Sequence, residues 1–173
     1  MLKKIEVSIL AILFIFTSYC ALIIGDYWDA NYEINLGKDR LKYLFSFGSY
    51  KNFEFHILTE FYPGLYNTIA IFITKMFPIK FENEVWRMTH VIFSFLTIIG
   101  ISKLTSILFN KKVGKIVFLL CFINPVFFGH MIMNSKDTIV AFTHVWTTYI
   151  FIRYIKNQHI PQKCNRYILL ASA

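Results

Sequence analysis

The chain has 173 residues, of which 56% are hydrophobic and only 16% charged. A soluble domain usually carries about 45–50% apolar and about 25% charged residues, so a water-soluble fold would leave much apolar surface exposed. The formal net charge of +8 does not point to nucleic acid either: the lysines sit in short segments between apolar runs, as the positive loops of membrane proteins do.

The first apolar run, residues 5–24, follows Met1-Leu-Lys-Lys. It exceeds the roughly 7–15 residue apolar core of a cleaved signal peptide. Tyr19 before Cys20 also spoils a lipoprotein-type cleavage site, so an uncleaved anchor is predicted. Cys20, Cys121 and Cys164 are far apart and form no CxxC pair, which supports neither a zinc site nor a disulfide framework.

Beyond the anchor lies Gly25-Asp-Tyr-Trp-Asp-Ala-Asn-Tyr-Glu, which brings Asp26 and Asp29 to the end of the first helix. A carboxylate half-desolvated at a membrane surface has a raised pKa and can take a proton from a hydroxyl. The competing reading is that Asp29 caps the next helix and Trp28 anchors at the interface. Residues 31–47 read as an amphipathic surface helix, with Ile34, Leu41, Leu44 and Phe45 on an apolar side beside Lys38, Arg40 and Lys42. Gly48-Ser-Tyr-Lys-Asn reads as a turn. In Glu60-Phe-Tyr-Pro-Gly-Leu-Tyr, Pro63 and Gly64 punctuate the chain before a short apolar stretch, 64–77, with Glu60 and Tyr62 as candidate ligand contacts. That stretch falls short of the roughly 17–25 residues of a spanning helix and is read as interfacial.

Further spans are predicted at about 85–108, 113–133 (broken by Pro125) and 138–155, with the start of another from residue 167. The chain therefore reads as the N-terminal part, 1–173, of one membrane domain in a longer protein. Lys3 and Lys4, then Lys111, Lys112 and Lys115, then Arg153, Lys156, Lys163 and Arg166 fall on one side if 25–84 is a single external loop. By the positive-inside rule that side is the cytoplasm. Most acids then lie in the first external loop, and only Glu6 and Asp137 lie elsewhere. The expected fold is all-α: a polytopic transmembrane bundle in the cell (plasma or inner) membrane, N-terminus cytoplasmic, with amphipathic helices in a long external loop.

Phe128-Gly-His-Met-Ile-Met-Asn-Ser-Lys-Asp offers a second candidate site, in which Lys136 and His130 could hold a phosphate on the outer face. Against that, Asp137 at a helix start is what the helix dipole favours. Arg87 at the outer end of its span could pair with a carboxylate or a lipid phosphate, or simply snorkel. His90, His130 and His144 fall on different predicted helices; two of them could ligate a haem, or all could be hydrogen-bonded within the bundle. No Walker, HExxH, GxSxG or GxGxxG motif is present.

In order and topology these residues resemble the polytopic GT-C glycosyltransferases that use lipid-linked sugars, the protein-mannosyltransferase-like and aminoarabinose-transferase-like enzymes. The likeness runs over about residues 5–155. It comprises an anchor, the acidic Asp26-Tyr-Trp-Asp29, Tyr62-Pro63-Gly64-Leu65, Arg87 opening a span, the basic Asn110–Lys115 loop, and Asn124-Pro125, Gly129-His130 and Lys136-Asp137. The resemblance implies a catalytic base at Asp29, or next at Asp26, and a polyprenyl-phosphate sugar donor used on the external face. It also implies that Arg87 and Lys136 steady the leaving phosphate. Relatives often carry Asp-Glu at the acidic motif; here Ala30 follows Asp29 and Glu33 is the next carboxylate. A divalent metal cofactor stays open, the acceptor is not given, and the fragment by itself is expected to be inactive. A transporter or flippase fragment and a haem-binding membrane protein are the alternatives.

Overall fold

The computed structural model describes residues 2–25, 28–50, 64–160 and 166–167. All regular structure among them is helical: α1 (Leu2–Ile24), α2 (Ala30–Phe45), α3 (Leu65–Thr74), a 3-10 turn (Ile79–Phe81), α4 (Glu82–Leu108), α5 (Lys111–Ile123), α6 (Pro125–Met133) and α7 (Ser135–Asn157). The chain divides into two compact units, Met1–Val91 and Ile92–Ala173, with the boundary inside α4.

In the first unit, α1 is long and apolar enough to cross a membrane, as is the stretch Ile79–Leu108 that contains α4. At about 1.5 Å per residue, the 27 residues of α4 exceed the roughly 30 Å hydrocarbon core. Much of α1 presents Ile5, Ile9, Ile12, Phe16 and Ile23 outward, the pattern of a lipid-facing helix.

α2 and α3 pack on one another. Ile34, Ala70, Ile71 and Trp86 form a buried cluster, with Leu41 and Tyr66 against it. Gly37 makes the close approach possible: a Cβ there would stand 2.7 Å from the Asn67 carbonyl oxygen and 2.7 Å from Ile71 Cγ1. The buried face of α2 is therefore Ala30, Glu33, Ile34, Leu36 and Gly37, which differs from the apolar side read from the sequence. Leu44 and Phe45 are exposed, because the close contact is centred on Gly37, and Phe45 stacks on the exposed Phe72 at 6.5 Å between ring centroids. With Leu65, Ile69 and Met76 also exposed, the α2–α3 pair keeps an apolar outer side suited to a membrane interface. Phe47 and Gly48 both take positive φ, 50° and 84°, and end α2 in the turn expected there.

Glu82, at the start of α4, receives Lys38 of α2 at 2.6 Å and Lys75, just past α3, at 3.6 Å. These contacts tie the surface helices to the head of the α4 span.

In the second unit, Ser102 Oγ donates to the Gly114 carbonyl at 2.8 Å. A Cβ on Gly114 would strike Ser106 Oγ and come within 2.6 Å of the Ser102 carbonyl, so small residues let α4 and α5 close together. Phe95 meets Phe118 edge-on at 6.2 Å. Phe93 does the same to Phe142 at 5.1 Å, and Trp146 Nε1 donates to the Leu96 carbonyl at 3.2 Å.

The stretch read as one span over 113–133 is a pair of helices bent by 69° at Asn124-Pro125. Asn124 Oδ1 accepts from Phe127 N at 3.0 Å and Pro125 takes the first helical position, so the break is a properly capped helix start, not a local distortion. The length of α7, 23 residues, suffices for a span. It is not among the helices apolar enough to qualify by composition, since Thr143, His144, Thr147 and Thr148 form a polar stripe on its exposed side.

Candidate functional site

Asp29 stands at the N-cap position of α2, directly after the membrane-length α1. Its backbone carbonyl accepts from Glu33 N at 3.0 Å, but its side chain makes no capping hydrogen bond. The expected alternative, a carboxylate consumed by capping, therefore does not describe this aspartate. One turn on, Glu33 lies on the same side of α2. It is only 2% exposed, unusual for a carboxylate on a surface helix. Asp29 and Glu33 thus stand one turn apart at the start of α2, one half-buried and one buried.

Arg87 lies one turn and a half into α4. Its Nη1 donates to the carbonyls of Ala21 and Leu22, both at 3.3 Å. These are carbonyls of α1's last turn, which have no partner within the helix, and a cation suits the negative end of the helix dipole. Arg87 therefore fixes the end of α1, immediately before the acidic segment. Two turns beyond Glu33 along the same side of α2, Arg40 lays its guanidinium on Gly64, where any side chain would collide with it. Burial holds the Arg40 pKa below the usual arginine value, and the nearby Tyr32 opposes that only partly. Neither the contact of Arg40 with Gly64 nor the burial of Glu33 was foreseen from the sequence. The helical spacing of Glu33 with Ile34 and Gly37 and the glycine at 64 were the only signals of them.

In the second unit, the Phe128–Asp137 segment forms a compact polar corner. Asn134 caps α7, accepting from Asp137 N at 3.1 Å through Oδ1. Its Nδ2 donates back to Asp137 Oδ2 at 2.9 Å. Thr138 Oγ1 closes the turn onto the Asn134 carbonyl at 2.6 Å. Asp137 is thus held by its own helix start, and His130 Nδ1 lies 3.7 Å from Asp137 Oδ2, an ionic contact when the imidazole is protonated but too long for a hydrogen bond. Lys136 sits beside them in the first turn of α7. His130 and Asp137 are therefore brought together, with Lys136 next to Asp137 in the chain.

Asp26, Glu60 and Tyr62 lie outside the described residues, as does the apolar segment expected after Tyr167. Among the described residues no group of three or more His, Cys, Asp or Glu side chains is arranged to hold a metal ion. His90 is buried and His144 is exposed on α7.

Residues 63–172 match the family described as dolichyl-phosphate-mannose-protein mannosyltransferase. The matched region includes Arg87, His130, Lys136 and Asp137 but begins after Asp26, Asp29, Glu60 and Tyr62. Neither the curated proteins nor the solved structures gave a match. The match takes in more than half of the chain, over an all-helical structure with membrane-length apolar helices. This chain belongs to the dolichyl-phosphate-mannose-protein mannosyltransferase family of membrane glycosyltransferases.

Proposed function

We propose that the chain is part of a transferase that moves a sugar from a polyprenyl-phosphate donor to a hydroxyl acceptor at the external membrane surface, with Asp29 as the general base. The observation that carries this reading is the state of Asp29. It follows a membrane-length helix at the head of a surface helix, half-buried, and its carboxylate is not spent on capping. Asp29 takes the acceptor's hydroxyl proton as its oxygen attacks the anomeric carbon. The bond from that carbon to the phosphate oxygen breaks, and polyprenyl phosphate leaves. Negative charge grows on the leaving phosphate, and a preorganised cation there lowers the barrier. Within the second unit, Lys136 and His130 are assigned to phosphate contact, and Asp137 orients their corner by capping α7. Asp26 is the alternative base, and Glu60 and Tyr62 are assigned to substrate contact. Arg87, engaged with the end of α1, positions the acidic segment and lends it positive charge.

The orientation proposed is N-terminus cytoplasmic with residues 25–84 external, in a multi-pass plasma or inner membrane protein. The basic flanks support it through the positive-inside rule.

The test uses the protein reconstituted and supplied with a polyprenyl-phosphate-linked sugar, comparing Asp29→Asn and Asp26→Asn. Loss of turnover in Asp29→Asn with retained donor binding is the expected result. Unchanged turnover in both variants removes the catalytic assignment. Family membership makes a glycosyltransferase the reading to test ahead of a transporter or a haem protein.

A further inference from the structure

We propose that α7 pairs side by side with α7 of a second copy of this chain inside the membrane, across the row Val140, His144, Thr147 and Phe151. Three observations converge on it.

The first is depth. Within the second unit α7 runs alongside α4 in the same direction: Phe93 meets Phe142, Trp146 Nε1 donates to the Leu96 carbonyl, and Lys156 Nζ donates to the Ile107 carbonyl. Leu96 lies midway along α4, a helix of membrane length. His144 and Thr147 flank Trp146 in the chain, so both stand near the middle of the bilayer. An imidazole or hydroxyl facing lipid at that depth is costly, and ionisable groups there face protein or trapped water.

The second is the state of the hydrogen bonds. Thr143, His144, Thr147 and Thr148 are exposed and line a hollow of about 170 Å³. Thr143 Oγ1 donates to the Val140 carbonyl at 2.9 Å, and Thr148 Oγ1 donates to the His144 carbonyl at 2.8 Å. Their protons are used within the helix, and their oxygens keep lone pairs for an outside donor. The His144 ring and the Thr147 hydroxyl have no hydrogen-bond partner among the described residues. Each can donate and accept, so the face carries both donors and acceptors within two turns.

The third identifies the occupant. The exposed Val140, His144, Thr147 and Phe151 recur at steps of four, three and four, the seam of a left-handed helix pair. An acyl chain matches the apolar ends of this row but cannot bond its middle. The match is a helix with apolar ends, polar groups at the same depth, and both donors and acceptors among them. A second α7 is such a helix. Copies inserted the same way up bring equal depths together, and a two-fold pairing needs a patch that complements itself.

Cysteine cross-linking in membranes tests this, with Cys20, Cys121 and Cys164 replaced by serine and two differently tagged copies co-expressed. Under copper-phenanthroline oxidation, Val140→Cys and Thr147→Cys should each give a covalent dimer carrying both tags. Ile12→Cys on α1 and Ile123→Cys on α5, exposed elsewhere, should give none. In mild detergent, His144→Leu with Thr147→Val should weaken the dimer about three- to twentyfold by sedimentation, whereas Thr147→Ser should retain it. Equal cross-linking at the control positions marks chance encounter and overturns the proposal. Absence of a dimer at both α7 positions also overturns it: labelling of Thr147→Cys by a water-soluble maleimide then indicates a hydrated cleft, and shielding indicates a different helix on this face. An undiminished dimer in the double variant overturns the hydrogen-bonded seam.

Discussion

Two helices of this protein carry an aspartate at or near their start after an apolar helix, and the two aspartates are held differently. At the head of α7, Asp137 and Asn134 exchange hydrogen bonds at 2.9 and 3.1 Å; the carboxylate completes the cap, and the helix start holds itself in place. At the head of α2, Asp29 makes no such bond. That helix is held along its body, by Gly37 against α3 and by Lys38 on Glu82. A helix secured by its body does not call on the acid at its tip for a cap, whereas one secured by its cap commits the acid to structure. The two differ in position as well, Asp29 at the cap of α2 and Asp137 three residues past the Asn134 cap of α7, so what fixes each helix start differs.

The largest expected effect comes from Asp29→Asn. Asparagine caps helices as well as aspartate does, so the unfolding midpoint should stay put while turnover of the full-length enzyme falls about 10²–10⁴-fold. Parallel losses of stability and activity would make Asp29 a second Asp137 and break the contrast.

Next is Gly37→Leu, which forces side-chain atoms into the Asn67–Ile71 contact and should cost about 1–3 kcal/mol. A drop in thermal midpoint, with α2 becoming protease-sensitive first, would confirm that its body holds it. No change would show that something else does.

Asn134→Ala should destabilise by about 1 kcal/mol. Asp137→Asn, which keeps a hydrogen-bonding side chain, should lower turnover far less than Asp29→Asn; equal losses would promote Asp137 to the chemistry.

The smallest effect is expected for Glu82→Gln, about 0.2–1 kcal/mol. Its two lysine partners keep 29% and 50% of their side-chain surface exposed, so solvent screens both pairs, and chemical denaturation at two salt concentrations would measure what remains.

The membrane-length helices were legible because a bilayer imposes length and apolarity on every spanning residue: the runs 5–24 and 85–108 became α1 and most of α4. The short surface helices were legible from period and punctuation, with α2 and α3 within a few residues of the expected 31–47 and 64–77. The break at Pro125 was visible, but its sharpness was not, since a proline marks where a helix stops and not the 69° at which the next one leaves. An unused signal was nearby: α5, α6 and α7 each start from an asparagine whose side chain accepts from the helix's first turn, Asn110, Asn124 and Asn134.

By itself the sequence determined the solvent this chain folds in, the helical class and the family-like order of its motifs, because these follow from composition and from short-range periodicity. Tertiary structure alone decided that Glu33 is buried, that Arg40 rests on Gly64, that Arg87 holds the last carbonyls of α1, and that Glu82 gathers Lys38 and Lys75. Several of these contacts join residues that are dozens of positions apart, and even Glu33's burial depends on α2 packing against other elements. Local pattern does not encode such contacts; they exist only once helices have packed and a desolvated charge has met the group that answers it.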